Sequence, residues 1–146
     1  MIKIICCTSL LLILPTWAFA KCPTPQKTVF ECTTTQKKIV QVCDAGTTLS
    51  YKFGKSLAKP ELQLKVARQK ATTYQWNGIG PTESYTVNIP NGNTTYSVFS
   101  ILDKNNFKST SGISVYQNKK EIATLYCDAQ YLVIEDLFDI DLPAEK

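Results

Sequence analysis

Histidine is absent from all 146 residues of the sequence, and this absence excludes a large class of enzymes. The Ser–His and Cys–His arrangements of common hydrolases need an imidazole whose pKa lies near neutrality. An enzyme built on this chain would need paired carboxylates or a lysine base instead. The acidic residues that we nominate for such a pair are Glu61, Glu83 and Asp103, but their spacing does not bring them together. We therefore expect that the protein is not an enzyme.

The sequence also lacks the spacing of a metal site. It contains no CxxC pair, and without histidine the usual zinc ligand sets cannot be assembled. We expect neither a bound metal nor a cofactor.

Long hydrophobic runs are missing as well, apart from one near the start. Residues 4–14 (IICCTSLLLIL) are too few to span a bilayer. They follow Lys3 and precede Ala18-Phe19-Ala20, the small-x-small pattern of a signal-peptidase site. We therefore predict a signal peptide over 1–20, cleaved near Ala20, and one β-rich domain over 21–146. This domain would be periplasmic or secreted and would not insert into a membrane.

Four cysteines remain after the signal peptide, and export to an oxidising compartment predicts two disulfides. If the first hairpin turns at Lys37-Lys38, Cys32 lies opposite Cys43, and Cys22 is left to pair with Cys127. The alternative pairing joins Cys32 to Cys127 and Cys22 to Cys43.

Alternation of apolar and polar residues dominates the chain from residue 28 to residue 127. Turn residues such as Asn91-Gly92 separate the alternating runs and favour tight antiparallel hairpins. The fold class that we predict is all-β, a small antiparallel β-barrel or β-sandwich. The predicted strands are 28–33, 38–43, 48–54, 61–66, 73–77, 84–90, 94–102, 112–117 and 121–127.

The pattern changes after Cys127. Tyr131, Ile134, Leu137 and Phe138 follow one another at a spacing of three to four, which predicts a short amphipathic helix capped by Asp128. An edge strand through residues 131–134 (YLVI) is the alternative. The last twelve residues are acidic, whereas the preceding body is basic.

The basic body also predicts an anionic envelope polymer as a partner. Nucleic acid is not expected, because the lysines are scattered along the strands and form no dense run.

A second candidate surface is the segment ATTYQWNGIG (71–80), which runs into Pro81. Glycine and proline end a strand here, so Tyr74 and Trp76 stand at the rim of a loop. Either these rings form one wall of the core, or the loop displays Trp76, Asn77 and Ile79 to a partner as an apolar anchor. Ile79, between two glycines, would otherwise close one end of the barrel.

Several segments resemble small, mostly uncharacterised exported β-rich proteins of Gram-negative bacteria: Cys43 followed by YKFGK (51–55), PELQL (60–64), ATTYQWNGIG and IPNGNTTYSVF. Ser111, Gly112 and Tyr116 are similar to the Ser-Gly-x-x-Tyr loop of the C-type periplasmic lysozyme inhibitors, with one additional residue before the tyrosine. This resemblance implies a compact β-barrel, a disulfide to the last strand, and a loop containing Ser111 and Tyr116 that enters a lysozyme cleft.

Together these features predict a non-enzymatic periplasmic binding protein, an inhibitor or immunity factor against a cell-wall-degrading enzyme such as lysozyme. The alternative is an accessory envelope module that binds peptidoglycan, polysaccharide or another envelope protein.

Overall fold

The computed structural model describes residues 21–146, so the predicted signal peptide lies outside the described residues. The chain forms two antiparallel five-stranded sheets. The first sheet has the strand order β10-β1-β2-β3-β4 and the second β5-β6-β7-β8-β9. The strands are β1 (Lys27–Thr33), β2 (Ile39–Asp44), β3 (Thr48–Gly54), β4 (Leu62–Ala67), β5 (Thr72–Gln75), β6 (Thr82–Asn91), β7 (Thr94–Asp103), β8 (Lys108–Gln117), β9 (Lys120–Tyr126) and β10 (Ile134–Glu135), with a 3-10 turn at Arg68–Lys70 between β4 and β5.

The two sheets pack face to face, and their inner faces share one hydrophobic core. Alternate residues of each strand point inward, as the period of two requires. Val42 in β2 and Val98 in β7 are fully buried, and the ring of Tyr51 stacks on Tyr96 across the two sheets at a centroid distance of 5.2 Å. The all-β prediction is confirmed in the form of a sandwich, whereas the closed barrel is not formed.

All nine predicted strands are present, with ends that differ by a few residues. The largest difference is at β8, which begins at Lys108 and not at Gly112. The hairpin between β6 and β7 turns at the expected Asn91-Gly92 position. The last hairpin turns at Asn118 and Lys119, with φ angles of 51° and 66°, values that suit a tight hairpin turn.

The favoured disulfide pairing was wrong, and the alternative is observed: Cys22 is bonded to Cys43 and Cys32 to Cys127. The first hairpin has a longer loop than the Lys37-Lys38 turn, so Cys32 lies opposite Val40. This register differs by three residues from the expected one. An odd shift moves a side chain to the other face of the sheet, so Cys32 and Cys43 point to opposite faces and cannot be bonded.

The predicted C-terminal helix is also wrong, and residues 134–145 form an extended segment that we call the strap. Its first two residues are β10, which pairs with β1 and so matches part of the edge-strand alternative. Asp139 has a φ of 55°, outside the helical range. The apolar spacing has a different origin: Leu137 points into the core and is 2% exposed.

After β10 the strap passes Tyr85 on the inner face of β6 and reaches the edge strand β5, where it is held mainly through its backbone. The Gln75 side chain donates to the Leu137 carbonyl at 2.9 Å and accepts from the Asp139 amide at 2.9 Å. Further along, the Thr73 amide donates to the Pro143 carbonyl at 2.9 Å. The edge of β5 is thereby covered.

Candidate functional site

The loop between β5 and β6 is ordered by its own hydrogen bonds. The Trp76 indole Nε1 donates to the Ile79 carbonyl at 3.0 Å, and the Ile79 amide donates to Asn77 Oδ1 at 3.0 Å. Gly78 and Gly80 have φ angles of 84° and 88°, values that only glycine adopts without strain. This tight loop leaves the Ile79 side chain 78% exposed.

The turn between β7 and β8 supports this loop through Lys104. Its amide donates to the Pro81 carbonyl at 2.8 Å, and its ammonium lies 3.6 Å from the centroid of the Trp76 ring. The same ammonium is 3.4 Å from a carboxylate oxygen of Glu83. Trp76 is therefore half-buried beneath a lysine and lies outside the hydrophobic core. Display to a partner therefore fits the exposed side chain of Ile79 better than it fits the half-buried indole of Trp76.

A second apolar side chain is displayed beside this loop. Phe107 is 80% exposed and has a φ of 56°, an uncommon angle for a bulky residue. Side chains fix the turn around it, because the Asn105 amide donates to Asp103 Oδ1 and the Lys108 amide donates to Asn106 Oδ1, each at 2.9 Å. We call the surface formed by residues 76–81 and 104–107 the loop end.

The structure brings some of the predicted partner-binding residues together and separates others. Tyr74, at 42% exposure, lies on β5 and leads into the loop that holds Trp76, Asn77 and Ile79. Ser111 and Tyr116 instead lie on β8, three strands away from β5 in the same sheet.

The segment from Ser111 to Tyr116 lies inside strand β8 and is not a loop. The Ser111 hydroxyl donates to Glu135 on the inner side, whereas Tyr116 pairs with Thr95 on the outer face. Burial, followed by a hydrogen bond with Glu121, raises the pKa of Tyr116. These two residues therefore do not form one surface.

The nominated acidic residues are not assembled either. Glu61 pairs with Lys38 beside the first sheet. Glu83 lies on the inner face of β6, where its carboxylate accepts a 2.8 Å hydrogen bond from the Tyr85 hydroxyl, and Asp103 is used in the β7–β8 turn. Burial of the Tyr85 hydroxyl, together with this bond to Glu83, raises the pKa of Tyr85.

Lys104 and Phe107 were missed by the sequence reasoning. The exposure of Phe107 could have been recognised from the sequence, because it stands in the polar segment DKNNFKS (103–109). A phenylalanine in a polar turn has no core to pack into. No local pattern in the sequence indicates that Lys104 lies over the Trp76 indole, which is 28 residues earlier in the chain. The two side chains meet only because the strands between them pair in the folded sheet.

A separate group of lysines lies on and around the β3–β4 hairpin. Within residues 21–146 these lysines form no ion pair, so their charges are available to a partner. The group comprises Lys52, Lys55, Lys59 and Lys65.

Three further observations bear on function. Among residues 21–146, no group of three or more His, Cys, Asp or Glu side chains is arranged to hold a metal ion. In that part of the chain no helix has the length and apolarity to cross a membrane. No family model, curated protein or solved structure matches the chain.

Proposed function

We propose that this protein is a non-enzymatic periplasmic binding protein and that the loop end is its surface for a protein partner. The observation that carries the proposal is Ile79, 78% exposed at the tip of a loop that is fixed by its own hydrogen bonds. A rigid loop loses little conformational entropy when it docks, so an exposed apolar anchor there contributes efficiently to affinity. Phe107, in the β7–β8 turn whose Lys104 contacts this loop, is a second exposed apolar side chain and adds a further anchor.

The partner that we propose is a cell-wall-degrading enzyme such as lysozyme, which makes this protein an inhibitor or immunity factor. The predicted signal peptide, the two disulfides and the resemblance to periplasmic lysozyme inhibitors support this choice. A protruding loop with an apolar tip fits the cleft of such an enzyme. The contacting residues are those of the loop end and not Ser111 and Tyr116.

The test compares two isoleucine substitutions of the protein in binding and inhibition assays with c-type lysozyme and other muramidases. Ile79→Ser removes the proposed anchor, whereas Ile122→Ser changes an isoleucine on β9 that is 57% exposed and lies outside the loop end. Both changes affect exposed side chains, so each should alter the free energy of unfolding by no more than about 0.5 kcal/mol. We expect binding to fall by about tenfold or more for Ile79→Ser alone.

Equal losses for the two variants would contradict the loop end as the binding surface. Absence of binding to any muramidase at micromolar concentration would remove this class of partner. A large drop in melting temperature for Ile79→Ser would show that the side chain has a packing role.

The unpaired lysines of the β3–β4 hairpin favour a second candidate function, binding to an anionic envelope polymer. Purified sacculi should then retain the protein at low salt and release it as salt screens the attraction. The double variant Lys55→Gln/Lys59→Gln should bind less than the control Lys119→Gln/Lys120→Gln, which removes the same charge from the β8–β9 hairpin. Retention that is insensitive to salt and to both variants would contradict this function.

A further inference from the structure

A groove separates the strap from the inner face of the second sheet, and neither proposed function uses it. Two adjoining hollows of about 190 Å3 and about 730 Å3 form this strap groove, and Ser109 and Glu135 line both of them. The smaller hollow has the volume of about six water molecules at roughly 30 Å3 each, which is enough for one sugar ring. It is lined by Glu83, Tyr85, Ser100, Leu102, Ser109, Glu135, Leu137 and Phe138.

Several polar groups in the smaller hollow have no partner. Within residues 21–146 the hydroxyls of Ser100 and Ser109 make no hydrogen bond. Glu135 accepts from the Ser111 hydroxyl through Oε2 only, which leaves Oε1 free. The hollow therefore offers two hydroxyls and a carboxylate oxygen to a ligand that has several hydrogen-bond donors.

The same hollow has an apolar side formed by an exposed but fixed aromatic ring. Phe138 is 70% exposed, and its ring meets Tyr85 edge to face at a centroid distance of 5.6 Å. Leu102, which is half-buried, adds apolar surface. A ligand that fits must present hydroxyl groups along one edge and C–H groups on one face, and a pyranose ring does both.

We propose that the strap groove binds an uncharged oligosaccharide. In the smaller hollow an anionic glycan would meet the carboxylate of Glu135, which forms no ion pair within residues 21–146, so its charge is unfavourable there. A peptide usually gains affinity by pairing its backbone with an exposed strand edge. The floor of the smaller hollow is a sheet face whose strands β6, β7 and β8 pair with one another, so a peptide backbone finds no such edge there.

The experiment titrates the protein, with both disulfides formed, with three tetrasaccharides, and follows backbone amides by NMR. The probes are cellotetraose and N-acetylated chitotetraose, which are uncharged, and a heparin tetrasaccharide, which is anionic. We expect at least one uncharged probe to shift the amides of Ser100, Ser109 and Phe138 at millimolar concentration. Phe138→Ala should then weaken binding by about tenfold, as expected for the loss of an aromatic anchor. The control Phe107→Ala removes a ring that is 80% exposed and lies outside the groove, so it should leave the affinity for the oligosaccharide unchanged.

Absence of binding by both uncharged probes would overturn the proposal. Binding of the heparin probe alone, or shifts confined to the β3–β4 lysines, would also overturn it. So would equal weakening by the two phenylalanine substitutions. Ile79 does not line the groove. Failure of this experiment would therefore not contradict the proposed protein partner, which is tested separately.

Discussion

The two sheets of this sandwich are held by different means. Cys32 and Cys43 lie within strands of the first sheet and both are disulfide-bonded, whereas no strand of the second sheet contains a cysteine. Strands β1 to β4 have six or seven residues, while β6, β7 and β8 have ten. The longer strands are where the loop end and the strap groove lie. The Cys22–Cys43 bond therefore holds the first sheet alone, whereas Cys32–Cys127 ties β1 to the residue that follows β9 and so joins the two sheets. The candidate binding surfaces lie mainly on the long strands of the second sheet.

Removal of the disulfides tests this comparison most strongly. The Cys32–Cys127 bond closes a sequence separation of 95 residues, and the Cys22–Cys43 bond one of 21. In the chain-entropy model these loops correspond to about 4.7 and about 3.3 kcal/mol. We expect melting temperatures lower by about 18 °C for Cys32→Ser/Cys127→Ser and by about 12 °C for Cys22→Ser/Cys43→Ser. Calorimetry of both variants measures this, and the reverse order would show that the short bond has the larger structural role.

Leu137→Ala tests whether the strap is packed as firmly as the first sheet, which holds Cys32 and Cys43. This side chain is 2% exposed, so its loss should leave a cavity and lower the free energy of unfolding by about 2–4 kcal/mol. Leu132→Ala is the matched control, because Leu132 is 58% exposed and should change stability by no more than about 0.5 kcal/mol. Urea denaturation provides both values. Similar small effects for the two leucines would mean that the strap adds little to the core.

Lys104→Met tests the contact that supports the loop end. Removing the ammonium from the Trp76 ring and from Glu83 should lower the free energy of unfolding by about 0.5–1 kcal/mol. Trp76 is the only tryptophan after residue 20, so its fluorescence reports this change directly. Lys108→Met, four residues later, should leave the fluorescence spectrum unchanged. Identical spectra for the parent and Lys104→Met would contradict the cation–ring contact.

The smallest expected effect concerns the ion pair between Lys37 and Asp128, which joins the first hairpin to the segment after β9. The hydrogen bond from Lys37, followed by one from the Gln130 amide, lowers the pKa of Asp128 from its ordinary value of 3.8. The stabilisation is therefore present above pH 3.8 and is lost as the pH falls through the lower pKa of the folded state.

Asp128→Asn should accordingly be less stable than the parent at about pH 7, and the two proteins should converge as the pH falls below the lowered pKa of Asp128 in the folded state. Asp139→Asn is the control, since the Asp139 carboxylate forms no ion pair within residues 21–146. Urea midpoints across this range give the measurement. A stability difference that does not depend on pH would show that the ion pair is not its cause.

The sequence predicted the nine long strands because alternation is a local property that survives in each strand. The loop around Trp76 and Ile79 was also recognisable, since glycine and proline limit what the backbone can do there. The strap was not predictable from local patterns. Its apolar residues, including Leu137, have the spacing of a helix, whereas the Gln75 side chain that bonds to the Leu137 carbonyl lies 62 residues earlier in the chain. The disulfide pairing failed for a related reason, because the length of the first hairpin loop decides which face Cys32 occupies.

The pairing of β10 with β1 has a consequence for how the protein acquires its structure. The last strand of the sequence completes the sheet that the first strand begins, so the two ends of the domain are neighbours in the fold. Such pairing of distant segments raises contact order and slows folding. During synthesis the chain cannot complete this sheet until residue 135 has emerged. The topology therefore leaves the first sheet incomplete, with one edge of β1 unpaired, until the segment that contains β10 is available.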